Sequence, residues 1–147
     1  MSAIADYFAD YGSHHLTAGN KLFHRMGIPM IMLTLLGMLT RVMLYSSAGA
    51  GGNVRIDAAI VLIVLSEIFY FTMEWRLGLA MLAVSVAFYF IGAAIPFWWN
   101  VALFVLGWIF QFIGHSVYEK KQPAFVRNLV HLLVGPLWIL KGMVSRR

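Results

Sequence analysis

Four apolar stretches separated by short polar breaks dominate this chain, near residues 27–45, 56–73, 77–95 and 97–114. A helix needs roughly 20 residues, and about 17 at the least, to cross the hydrocarbon core of a bilayer, so the pattern predicts about four membrane-crossing helices. Between the first two lies SSAGAGGN, residues 46–53. Glycine and serine clusters disfavour a helix interior and mark loops, so this segment predicts the one flexible connection. Residues 1–26 predict N-terminal helices that carry histidines, and residues 115–147 a C-terminal segment. Within that segment residues 129–140 are apolar, but they number only 12 and include Pro136. Such a run is too short to span. It predicts an interfacial or re-entrant helix with Trp138, Lys141, Arg146 and Arg147 at headgroup level, or else a plain fifth helix packed on the bundle.

Composition turns this pattern into a fold class. Hydrophobic residues make up 61% and charged residues 12% of the chain, whereas soluble domains hold roughly 45–50% apolar and about 25% charged residues. The expectation is an all-α integral membrane protein forming one domain over residues 1–147, with membrane lipid as its surroundings. A net charge of +5 raises the question of nucleic acid, but here the bases flank apolar runs instead of forming the basic face that such binding needs. No nucleic-acid partner is expected. Positive residues in short loops stay cytoplasmic. In a four-crossing arrangement Lys21, Arg25, Arg76, Lys120, Lys121, Arg127, Lys141, Arg146 and Arg147 fall on one side, against Arg55 and, near it, Arg41 on the other. Both termini are therefore expected in the cytoplasm, in a bacterial inner membrane or, in a eukaryote, the endoplasmic reticulum. Ala48-x-Ala50 imitates a signal-peptidase site, but the acids, histidines and bases of residues 1–26 and the interruption by Arg41 do not suit a secretory signal. The first crossing is expected to be retained.

The absence of cysteine rules out disulfides, thiolate metal sites and thiol nucleophiles, leaving histidine, carboxylate and hydroxyl chemistry. All five histidines, His14, His15, His24, His115 and His131, fall in the half assigned to the cytoplasm, although only Lys and Arg set that assignment. Three chain segments thus bring imidazoles to one face, as a shared metal site requires; histidines are also simply common near interfaces. In one continuous helix His15 and His24 would point to opposite faces. Gly19-Asn20 predicts a break, since glycine suits the position after a helix and asparagine an N-cap; Asn20 and His24 would then share a face of the second helix. His115 and Glu119 are also four apart, as two ligands, as a ligand with an orienting carboxylate, or as a solvated helix face. Glu67 lies inside the second crossing, where carboxylates are costly and mark function or pairing, with the histidines or with a neighbouring helix or Arg76. Trp98, Trp99 and Trp108 are explained by interface belts and packing.

Two stretches carry a resemblance: YGSHHLTAGNKLFHRMGIP at residues 11–29 and QFIGHSVYEKKQPA at residues 111–124. The chain resembles the membrane 2-hydroxy-fatty-acid dioxygenase family, named for the metabolism of phytosphingosine to odd-numbered fatty acids and earlier known as a domain of unknown function. The resemblance covers nearly the whole chain. It implies oxidative removal of one carbon from a 2-hydroxy fatty acid, dependent on Fe(II), O2 and histidine side chains. By position it assigns the metal to His15, His24 and His115, with Asn20 and Glu119 as further site residues and His14 and His131 as supporting candidates; Glu119 by its spacing and Glu67 by its place in the membrane join them as less certain ligands. Imidazole and carboxylate suit non-haem iron, the hydroxyl and carboxylate of a 2-hydroxy acid can chelate it, and the alkyl tail explains the membrane setting. Lys21, Arg25 or Lys121 are positioned to meet the carboxylate on approach. Two other readings remain at this point: a metal-assisted lipid hydrolase, and a non-catalytic membrane module that assembles or carries metal.

Overall fold

A computed structural model describes residues 3–49, 52–120, 123–126 and 128–144. The elements run α1 (Ala3–Ser13), α2 (Ala18–Leu39), β1 (Met43–Gly49), β2 (Gly52–Asp57), α3 (Ala58–Met73), α4 (Trp75–Ala94) and α5 (Phe97–Ile113). A π-helical turn (Gly114–Glu119), a short 3-10 turn (Ala124–Val126) and α6 (His131–Val144) complete the chain. Among the described residues three helical stretches are long and apolar enough to cross a membrane: α2, α4, and α5 continued through the π-helical turn to Glu119. α3 is also apolar, but its 16 residues fall just below the usual spanning length. The expected four crossings thus map onto α2 to α5.

Burial in this bundle is inverted relative to a soluble protein. Large apolar side chains such as Val64, Leu65 and Ile68 on α3 and Phe90 and Ile91 on α4 face outward, while Thr34, Glu67, Ser85, Asn100 and Gln111 are buried between helices. Lipid supplies no hydrophobic drive for helix association, so membrane bundles close on small and polar contacts. Gly37 and Gly92 accordingly meet backbone to backbone, which brings α2 against α4. Thr34 donates to the carbonyl of Met30 at 2.7 Å and Ser66 to that of Leu62 at 2.8 Å, so these hydroxyls are satisfied within their own helices.

Several boundaries differ from the sequence expectation. The first crossing ends at Leu39 instead of near residue 45, and residues 43–49 and 52–57 pair as an antiparallel hairpin. The segment expected to be a flexible loop is mostly strand, because Leu44, Tyr45, Val54 and Ile56 supply β-forming side chains on either side of the glycines; positions 50 and 51, and with them half of the signal-like Ala48-x-Ala50, lie outside the described residues. Arg41, which interrupts the apolar run, donates to the carbonyls of Ala93 at 2.9 Å and Ile95 at 3.2 Å, satisfying acceptors that the end of α4 leaves open.

At the other end, α1 buries Ile4, Phe8 and Tyr11 from one face, against Val134 and Leu137 of α6. α6 is one unbroken helix with Pro136 inside it. It packs on the bundle, and burial of Val134 and Leu137 against α1 holds it as one helix where the sequence pattern alone suggested a break. Lys21, Arg25, Arg76, Lys120 and Lys141 all belong to this end by chain direction; Lys121, Arg127, Arg146 and Arg147 lie outside the described residues.

Candidate metal centre

The break that separates His15 from His24 is not at Gly19-Asn20. α1 ends at Ser13, and α2 begins after Thr17, whose side chain accepts the backbone N–H of Asn20 as an N-cap. Serine and threonine hydroxyls are strong caps, and Thr17 outcompetes Asn20 because Asn20 is needed inside the first turn. Gly19 stands there too, and a Cβ at that position would run into the Tyr118 ring. The sequence expectation had the consequence right and the place wrong: His15 lies in the connection between two helices, free to turn toward His24.

Glu119 and Asn20 hold the geometry. The Glu119 carboxylate accepts the backbone N–H groups of Leu16 at 3.0 Å and Thr17 at 3.2 Å, the Thr17 hydroxyl at 3.0 Å and the Asn20 amide at 3.0 Å. With three donors on Oε2 and one on Oε1 it clamps the 16–17 turn onto the end of the π-helical turn. Asn20 also donates to the carbonyl of His14 at 3.2 Å. The π-helical turn widens the end of α5 so that His115 and Glu119 both point inward, and such turns recur at functional sites. Gly114 permits its approach to α2, since a Cβ there would sit 2.6 Å from Asn20 Oδ1 and 3.2 Å from His24 Nδ1.

Three segments thereby place His15, His24 and His115 together. Their ring centroids are 4.4, 4.7 and 5.0 Å apart, none is more than 2% exposed, and one nitrogen from each lies within 4.8 Å of the others. His15 Nδ1–H donates to the carbonyl of Tyr11 at 2.6 Å and His24 Nδ1–H to that of Asn20 at 3.0 Å. These bonds fix the tautomer and leave Nε2 of each ring bare. His15 Nε2 and His115 Nδ1 are buried without a hydrogen-bond partner. Burial pushes His15 down to about 4 from 6.5, so its ring is neutral at physiological pH and its lone pair available. Three buried imidazoles with convergent nitrogens, two of them without a hydrogen-bond partner, fit a divalent transition ion.

Not every candidate joins this set. His14 bonds locally, its Nδ1 to the carbonyl of Asp10 at 3.0 Å. His131 is buried and pairs through Nε2 with Asp10 at 2.9 Å. Glu119 acts on the turn and is not among the three converging groups. Glu67 stands apart on α3, where it accepts the Ser85 hydroxyl of α4 at 3.4 Å; a neighbouring helix, not Arg76 or the histidines, is its partner. Lys21 and Arg25 line a shallow groove with Phe8, Trp138 and Lys141, while Lys121 lies outside the described residues.

Sequence reasoning missed the aromatic wall. Tyr11 stacks on His15, with centroids 4.1 Å apart and planes 15° from parallel, and Trp138 covers both at 5.5 and 5.8 Å. Burial raises the Tyr11 phenol above its ordinary value, so it stays neutral. From the triad a cavity of about 380 Å³ runs between the helices, lined beyond the histidines by apolar side chains including Ile31, Leu35, Leu36, Leu62 and Ile63. Along α2 its lining extends from His24 to Leu36, about 18 Å by helix rise. One leaflet of a hydrocarbon core is about 15 Å deep, half of roughly 30 Å, so the cavity is long enough for a single membrane-length acyl chain.

Residues 1–147 match the family model described as Mpo1-like, 2-hydroxy-palmitic acid dioxygenase Mpo1-like. The 2-hydroxy-palmitic acid dioxygenase MPO1 of Saccharomyces cerevisiae is 36% identical over 135 residues, covering 88% of this chain and 73% of the yeast protein. No solved structure matches the chain. On the whole-chain family match and the identity to the yeast enzyme together, this chain belongs to the Mpo1-like family.

Proposed function

We propose that this protein is an Fe(II)- and O2-dependent dioxygenase that removes one carbon from 2-hydroxy fatty acids at the cytoplasmic face of the membrane. The observation that carries the reading is the position of three buried, converging imidazoles at the head of an apolar cavity of acyl-chain length. The family membership and the named activity of the yeast relative support it.

His15, His24 and His115 would hold the ion. Bound there, it supplies a Lewis acid with open positions for oxygen and for a chelating hydroxyl and carboxylate. Among the described residues no carboxylate joins the three converging imidazoles, so an ion held there in an apolar surrounding would favour an anionic head group. The cavity takes the alkyl tail and fixes C1 and C2 beside the triad. Tyr11 and Trp138 exclude water from the head group, and Glu119 with Asn20 keeps His15 and His24 oriented. Loss of C1 as carbon dioxide and release of C2 as the carboxyl of the shortened acid removes four electrons, which one O2 accepts with water as the remaining product. No further reductant is required.

A three-histidine set is also the donor set of some hydrolytic zinc enzymes, and oxygen dependence separates the two. Protein purified in mild detergent is expected to hold about one iron per chain and to consume O2 with 2-hydroxypalmitate. His24→Ala should lose both. Turnover without O2, or zinc as the functional ion, would overturn the dioxygenase reading.

A further inference from the structure

Gln111 is used neither by the triad nor by the hydrogen bonds around Glu119. It is 4% exposed and lines the cavity, and it precedes His115 by four residues, so it shares that face one turn deeper, on the tail side. Its Nε2 is buried with no hydrogen-bond partner. Native proteins rarely leave a buried amide donor unmade, so such a group calls for a partner.

The surrounding packing is built to admit this amide. Gly27 of α2 faces it, and a Cβ at position 27 would collide with Gln111 Nε2. Glycine inside a helix is unfavourable relative to alanine, yet here it leaves the room in which the carboxamide lies. Gly27 is three residues after His24, on the same side of α2. The carboxamide therefore sits at the α2–α5 contact on the cavity wall, one helical turn from His24 and one from His115.

We infer that Gln111 is a specificity-determining residue that binds the 2-hydroxyl of the substrate. This rests on the functional reading above. With the carboxylate at the triad and the tail running toward Leu36, the first polar group on the tail side is the hydroxyl on C2. A carboxamide offers both donor and acceptor, as a hydroxyl does, whereas a carboxylate offers only acceptors. A site built to hydrogen-bond a hydroxyl rejects the analogue that lacks it, because its own polar group is then left unpaired.

The test is equilibrium binding of 2-hydroxypalmitate and of palmitate to the metal-loaded protein under nitrogen, with metal content measured alongside. Wild type is expected to prefer the 2-hydroxy acid. Gln111→Leu should lower that preference roughly 10- to 100-fold by weakening the hydroxy acid alone, with metal per chain unchanged. Gln111→Met, closer in length, repeats the measurement if the leucine variant does not fold. A preference that survives substitution would mean that the ion alone reads the hydroxyl and would overturn the assignment, as would equal weakening of both acids. Absence of any preference in wild type would instead sink the functional reading itself.

Discussion

The two ends of the bundle both bury polar side chains, and they use them differently. At the hairpin end Arg41 closes the carbonyls of Ala93 and Ile95, Asn100 donates to Gly92 at 2.9 Å and Ile95 at 3.2 Å, and Asp57 caps α3 while accepting the Tyr89 hydroxyl at 2.6 Å. These contacts finish on backbone groups or on one another, and the one buried acceptor left over among them, Asn100 Oδ1, has no second unpaired group converging on it among the described residues. At the histidine end the same devices recur, with Thr17 as cap and Glu119 binding free N–H groups, but one nitrogen from each of three imidazoles converges on a common point, and those of His15 and His115 have no partner. Without water in the hydrocarbon region every backbone group must be satisfied internally, so buried polarity at helix ends is by itself a structural necessity. Convergent lone pairs from three segments, left unused after that necessity is met, are what distinguish a site.

The largest expected effect breaks this contrast outright. His115→Ala should remove the bound metal and bring oxygen consumption with 2-hydroxypalmitate to background, whereas Asn100→Ala should keep metal stoichiometry and lose about 1–3 kcal/mol of stability from the unmet carbonyls. Metal analysis beside thermal unfolding in detergent separates the two; metal loss from the Asn100 variant would erase the distinction between the ends.

Glu119→Gln comes next. It keeps size but replaces an acceptor-only carboxylate that binds four donors, and changes of this kind around metal ligands typically cost about 10- to 100-fold in metal affinity or activity. A chelator competition titration measures it. Loss as complete as that of His115→Ala would show that Glu119 binds the ion directly.

A smaller change is expected at the far wall of the cavity. Leu36→Phe shortens the space available to the tail, so the preferred 2-hydroxy acid should lose a few methylenes, each worth about 0.8 kcal/mol when buried. Competition between acids of different chain length gives the profile, and an unchanged profile would show that the tail lies elsewhere.

A separate effect is one of pH on metal-free protein. His15 is held at about 4 against 6.5 in the unfolded chain, mainly by burial. A depressed value means that the unfolded state takes the proton first, so this contribution to stability is complete above about 6.5 and declines as pH falls toward 4. Unfolding midpoints of wild type should therefore drop more steeply over that interval than those of His15→Phe.

Local signals in the sequence reached far into this structure. Apolar runs located α2 to α5 because lipid demands them in the chain itself, whatever packs against them. Asn20, His24, His115 and Glu119 were legible through i, i+4 spacing. The break was misplaced because Thr17 and Asn20 are both good caps by residue type, and only the Glu119 carboxylate bonding to Leu16 and Thr17 from more than 100 residues away decides between them. The hairpin was hidden because its glycines and serines look like a loop until two strands pair.

What the sequence determined by itself was the solvent, the helices and the residue types able to bind a metal, all properties of short segments. Which imidazoles meet was written in no segment's own pattern: the resemblance pointed to His15, His24 and His115, and only tertiary structure brings them together. His15 and His115 are joined through packing of α2 on α5, His131 is drawn away to Asp10, Glu67 is paired with Ser85, and Gln111 is lodged against Gly27. The physical reason is that a metal site is a relation among lone pairs on distant segments, and spacing along the chain carries no information about distances across it.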